Sequence, residues 1–132
     1  MIEILESPEG QCFDILTLAT KIDTVEDIHK PSIVKVIYSP HTEKLGRALY
    51  FSRSPCPQGE GSHYHHIGLY AYKRAALEKF IKLPSSPLEN QEKLEQLRAL
   101  EAGMTIGVLI VNELIPGVDI PSDIEWVSRL IT

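Results

Sequence analysis

The sequence predicts an α/β unit with a mixed sheet and flanking helices. Three observations predict it: apolar, β-branched stretches of strand length recur along the chain, helix-spaced stretches fall among the later ones, and two stretches lie close enough to pair as an antiparallel hairpin. A chain of 132 residues can bury one core of ordinary size, so a single unit covering residues 1–132 is expected.

Taken in order, residues 14–21 (DILTLATK) mix apolar and β-branched side chains over a strand's length. Residues 24–31 then turn polar and end at a proline, which reads as a loop or a single helical turn. Residues 32–38 (SIVKVIY) and 47–52 (RALYFS) read as two strands joined by the turn-like residues 39–46, an antiparallel hairpin with a long connection. Residues 53–62 hold two prolines and two glycines and read as a surface loop of the kind that often borders a site. The alternation in residues 66–72 (HIGLYAY) gives another strand, and Ala76, Leu77, Phe80 and Ile81 give a helix over residues 73–82. After the break at residues 84–87, Leu88, Gln91, Leu94, Leu97 and Leu100 recur on one face up to Gly103, which predicts one helix with a glycine cap. Residues 105–111 (TIGVLIV) make the last strand, and Pro121 opens a final helix through Leu130.

The hydrophobic fraction of 43% and charged fraction of 23% are those of a globular protein. Thirteen Lys and Arg against eighteen Asp and Glu give a net charge of -5, the wrong sign for a phosphate backbone, so no nucleic-acid partner is expected. No apolar run approaches the roughly 20 residues that span a bilayer, and the acidic start MIEILESPEG lacks the pattern of a signal peptide. No membrane partner and a cytoplasmic location are the expectation. Cys12 and Cys56 are far apart, outside any Cys-x-x-Cys pattern, and read as two unrelated reduced thiols.

The only glycine pair that could cradle phosphate is Gly59-Glu60-Gly61, with neither the Walker pattern nor the dinucleotide fingerprint. His63, His65 and His66 crowd four positions, but on a strand His63 and His65 share one face while His66 points to the other. A metal site, an exposed polar strand end and a substrate-binding role for His66 all remain open. Glu95 and Gln96 offer an acceptor and an amide side by side to a polyhydroxylated ligand, and with Glu92 and Arg98 they equally fit a solvated helix face. Asp119 can cap the last helix or hold a divalent cation. Arg53, past a strand end, can clamp a carboxylate in bidentate fashion or stand as a plain surface arginine.

Read together, Val34-Lys35-Val36, ALYFSRS at residues 48–54, HIGLYAY at 66–72, residues 84–89, LEQLR at 94–98, and Gly117-Val118-Asp119 with Pro121 and Asp123 resemble the CMP-KDO synthetase family in order and spacing. KDO is the eight-carbon acid sugar 3-deoxy-manno-octulosonate. The likeness runs from about Leu16 to about Ile131 and corresponds to roughly the second half of a family member. The resemblance implies the C-terminal portion of a nucleotide-diphospho-sugar transferase-like fold, serving sugar binding and dimerisation. It implies a KDO pocket lined by Ser52, Arg53, His66, Tyr70, Glu95 and Gln96, and a magnesium ligand at Asp119. The implied reaction is attack of the anomeric hydroxyl of KDO on the α-phosphorus of CTP, releasing pyrophosphate with Mg²⁺ offsetting charge on the phosphates, in lipopolysaccharide precursor synthesis. No nucleotide-binding residue is found in this chain, so CTP is expected to bind only with an absent N-terminal half, and the chain alone is expected to be inactive. A homodimer is implied, as is an exposed sheet edge where that half would pack. Ile120 stands where the family usually has threonine, which weakens the expected helix cap beside Asp119. A noncatalytic sugar-acid binding or dimerisation protein, and a cytidylyltransferase for another acid sugar such as sialic acid, are the alternatives.

Overall fold

The computed structural model describes residues 12–111. Residues 112–132, with the expected last helix, Pro121 and Asp119, lie outside the described residues, as do residues 1–11.

Five strands, β1 (Ile15–Lys21), β2 (Lys35–Pro40), β3 (Leu45–Ser52), β4 (Tyr64–Tyr72) and β5 (Ile106–Val111), form one mixed sheet in the order β1-β4-β2-β3-β5. β5 pairs antiparallel with β3 and parallel with β1, which closes the sheet into a small barrel. Each described strand thus has a neighbour on both sides, and the expected open edge is absent among them. The closure is weakest between β2 and β4, which share the single pair Lys35↔His65.

β1 is covered on both faces. Ile15 and Ala19 join the cluster built on Phe51, Leu97 and Ile106, while Leu16 and Leu18 join Phe13, Leu45 and Ala71 on the other side. That two-sided burial explains why its sequence is almost continuously apolar rather than alternating. β5 can lie this close to the N-terminal residues because position 107 is glycine: a Cβ there would sit 2.6 Å from the Phe13 ring.

Four short helices flank the sheet: α1 (Val25–Ile28), α2 (Arg74–Lys82), α3 (Pro87–Glu92) and α4 (Gln96–Glu101). In α1, Thr24 caps the Asp27 amide, so of the loop or single helical turn that the sequence allows, the turn forms. α2 buries Ala76 and Phe80 but leaves Ile81 67% exposed. The hairpin β2–β3 forms as expected with a shorter connection, residues 41–44. Leu45 and Gly46 are drawn into β3 by pairing with Leu109 and Val108 of β5, a contact made across more than sixty residues.

A second expectation fails. The leucine-spaced stretch from Pro87 to Gly103 is not one helix but α3 and α4, broken at Lys93, whose backbone is left-handed at φ 59°. Ser86 and Glu89 form a reciprocal capping box at the start of α3, and the Leu94 amide reaches back to the Glu89 carbonyl at its end. The break folds α4 back so that Leu94 and Leu97 both enter the core, and Arg98 returns to Glu89 through two hydrogen bonds of 2.9 and 2.6 Å. Gly103, at φ 82°, ends α4 as the sequence predicts.

Candidate functional site: a cleft between β4 and the helix break

A bulge in β4 builds the site. Leu18 pairs with Ile67 but its neighbour Thr17 pairs with Tyr70, so Gly68 and Leu69 drop out of the ladder. In a regular ladder Gly68 would stand next to His66 on their shared face. The bulge puts Tyr70 there instead, its ring centroid 5.5 Å from that of His66. Thr17 serves the interrupted backbone: its hydroxyl lies 3.1 Å from the Ile67 carbonyl and 2.8 Å from that of Leu69. Both carbonyls can only accept, so the hydroxyl gives them its proton and accepts from His66 Nε2–H at 2.9 Å. This network makes Nδ1 the unprotonated ring nitrogen.

His66 is 7% exposed, with the edge of the Phe51 ring against it at 4.8 Å. Burial, with His65 as a nearby positive partner in the second place, lowers its pKa to about 3, so the imidazole is neutral at physiological pH. The aromatic file continues from Tyr70 to Tyr72 at 6.0 Å, then to Phe80 at 5.9 Å, and ends at Arg98, whose guanidinium lies 5.1 Å over the Phe80 ring. Burial raises the pKa of Tyr70 well above the ordinary tyrosine value and that of Tyr72 to about 12, so both hydroxyls keep their protons.

Tyr70, Tyr72, Phe80, Glu95 and Gln96 line one cavity of about 310 Å³, with Leu77 and Ile81 completing its wall. Glu95 precedes α4, its side chain 69% exposed and 4.0 Å from Arg98. Gln96 is 7% exposed, and its amide makes no hydrogen bond among the described residues. The cleft therefore offers an amide, a carboxylate and phenol hydroxyls over an aromatic floor, the equipment for a polyhydroxylated ligand.

Ser52 and Arg53 lie beside this cleft and do not line that cavity. Ser52 donates to the Glu92 carboxylate at 3.1 Å and accepts from the Ser54 amide, while Tyr50 donates to the same carboxylate at 2.9 Å. Arg53 donates to the carbonyls of Pro31 (3.1 Å), Glu92 (3.4 Å) and Lys93 (3.5 Å), and pairs with no carboxylate among the described residues. Both residues are thus fastened to the α3–α4 break that carries Glu95 and Gln96. Of the six positions the sequence singles out, the structure puts Tyr70, Glu95 and Gln96 around one cavity, His66 against Tyr70, and Ser52 and Arg53 on its flank. Sequence reasoning passed over Tyr72 as a site residue and treated Glu92 as part of a helix face. The signal for Tyr72 was its place two residues from Tyr70 on the same strand face.

His63 lies just before β4 and gives its Nε2 to the Pro57 carbonyl at 2.7 Å. Among the described residues no group of three or more His, Cys, Asp or Glu side chains could hold a metal ion. Those residues by themselves offer no seat for a divalent metal, and Asp119 lies outside them. Nor is any helix among them long and apolar enough to cross a membrane.

Comparison with known proteins gives the chain its family. A family model described as Cytidylyltransferase matches residues 2–106. A 3-deoxy-manno-octulosonate cytidylyltransferase of Bradyrhizobium sp. (strain ORS 278) is 53% identical over 130 residues, covering 98% of this chain and 53% of that protein. A protein of the same name from Nitrobacter winogradskyi is 50% identical over 129 residues, covering 98% and 51%. The structure of CMP:2-keto-3-deoxy-manno-octonic acid synthetase complexed with CTP superposes with a TM-score of 0.75 at 36% identity, over 98% of this chain and 53% of that one. The chain spans about half the length of the curated relatives it matches.

Proposed function

The chain belongs to the cytidylyltransferase family, and from that membership we propose that residues 1–132 form one unit, the sugar-acid-binding part of a 3-deoxy-manno-octulosonate cytidylyltransferase. The whole reaction would join KDO to CMP from CTP with release of pyrophosphate. The observation that carries the reading is the single cavity shared by Tyr70, Glu95 and Gln96, with His66 set beside Tyr70 by the bulge.

In this reading Gln96 and Glu95 bind sugar hydroxyls, Tyr70 donates from the floor, and neutral His66 holds Tyr70 in place. Ser52 keeps the Glu92 segment fixed, and Arg53 receives the sugar carboxylate, because among the described residues its guanidinium is held only by carbonyls and has no carboxylate partner. No phosphate-binding loop is found in the sequence, so CTP would be held by a complementary N-terminal half. The proposed cofactor is Mg²⁺, with Asp119 as this chain's ligand, which would offset charge on the phosphates. The protein is proposed to act in the cytoplasm as a homodimer. Val25, Leu49 and Ile81 are large apolar side chains exposed for such contacts, and light scattering on the chain alone decides between dimer and monomer.

The test is turnover. CTP, KDO and Mg²⁺ mixed with this chain alone are expected to give no CMP-KDO. Robust formation of CMP-KDO would overturn the half-enzyme reading.

A further inference from the structure

Lys35 has no part in the site as described, yet it is the most deeply buried charged side chain among the described residues. It sits in β2 with 0% exposure, and its Nζ donates to the carbonyls of Lys30 at 2.7 Å and Arg53 at 2.8 Å. No carboxylate pairs with it among the described residues. A buried ammonium without an anion is strongly unfavourable, and a strand in this position would ordinarily carry an apolar residue. The second cation at this spot, Arg53, also lacks an anion among the described residues and reaches the same segment, donating to the Pro31 carbonyl at 3.1 Å. Lys35 and Arg53 therefore clasp residues 30–31 between them and oppose each other as like charges.

We propose that Lys35 is a positioning residue for the sugar acid: it pins the main chain of Arg53 from the buried side and leaves a pair of cations whose missing counter-ion is the ligand carboxylate. The inference rests on the KDO reading of this chain. It makes the clasp specific for an acid sugar over a neutral one, since only a carboxylate supplies the anion that the two cations lack among the described residues.

The other groups facing Lys35 are known. Arg53 follows β3, the half-buried His65 lies opposite on β4, Cys56 belongs to the loop after Arg53, and Lys30 turns its ammonium away to Asp27 at 2.9 Å. Burial lowers the Lys35 pKa from its ordinary value and raises that of the Cys56 thiol.

Calorimetric titration of the chain with KDO and with KDO methyl ester, at neutral pH and low salt, tests the proposal. The wild-type chain should prefer the acid, and Lys35→Met should weaken KDO binding on the order of tenfold while changing ester binding by less than about twofold. Equal loss of acid and ester in Lys35→Met would mean a merely structural role and would overturn the proposal, as would unchanged KDO binding. Wild-type chain that binds neither ligand would overturn the KDO reading itself. Should Lys35→Met not fold, Lys35→Gln decides in the same titration: it should lose acid binding while keeping ester binding, and an equal loss of both or unchanged KDO binding would overturn the proposal.

Discussion

His66 shows how one residue's environment sets its chemistry. The unfolded chain takes up the imidazole proton near pH 6.5 and the folded chain only near pH 3. Because the folded-state value is the lower one, His66 contributes stability that is fully present above pH 6.5 and is lost as pH falls toward 3, a total on the order of 5 kcal/mol. Urea denaturation should find the protein about 2 kcal/mol less stable at pH 5 than at pH 7 from this group, and His66→Gln should flatten that dependence. An unchanged slope in the variant would show that the imidazole is not held neutral by the fold. From the residues alone His66 had three open readings, and only the resemblance to CMP-KDO synthetases pointed it to a pocket. Its strand position was readable, but its neighbour was not, because alternation alone puts Gly68, not Tyr70, beside it.

At the scale of elements, the strands were legible and the helix break was not. Residues 14–21 and 105–111 are apolar over strand length whatever they pair with, and both appear as strands within a residue of the expected bounds. The leucine spacing from Leu88 to Leu100 fits one helix equally well, and no glycine or proline marks Lys93 as a stop. The break is decided by tertiary contacts, the burial of Leu94 and Leu97 and the Arg98–Glu89 pair, which outweigh the unfavourable left-handed backbone at Lys93. Relieving that conformation should help: Lys93→Gly is expected to stabilise the chain by about 0.5–1 kcal/mol, since glycine adopts positive φ without a Cβ clash. Thermal unfolding of the variant checks it, and a lowered midpoint would mean that the Lys93 side chain holds the break in some other way.

For the molecule as a whole, the mixed sheet follows from the sequence but its closure does not. Strand stretches and a hairpin can be read locally, whereas the pairing of β5 with both β1 and β3 depends on residues that meet across 60 to 90 positions. The same closure puts the α3–α4 break over β3 and β4, where its carbonyls meet Arg53 and its Glu95 and Gln96 meet Tyr70. The site is therefore a product of the global topology, assembled from segments no single motif contains. A second cavity, of about 570 Å³, lies between α1 and the loop through Pro55–Gly61, and provides an internal control for where a sugar binds. The most direct measurement is an amide chemical-shift titration of the isotopically labelled chain with KDO. Shifts are expected at Tyr70, Tyr72, Glu95 and Gln96 with Arg53 alongside; signals there that stay still while KDO moves only residues around Val25, Ile28 and Gly59 would put the sugar in the other cavity instead.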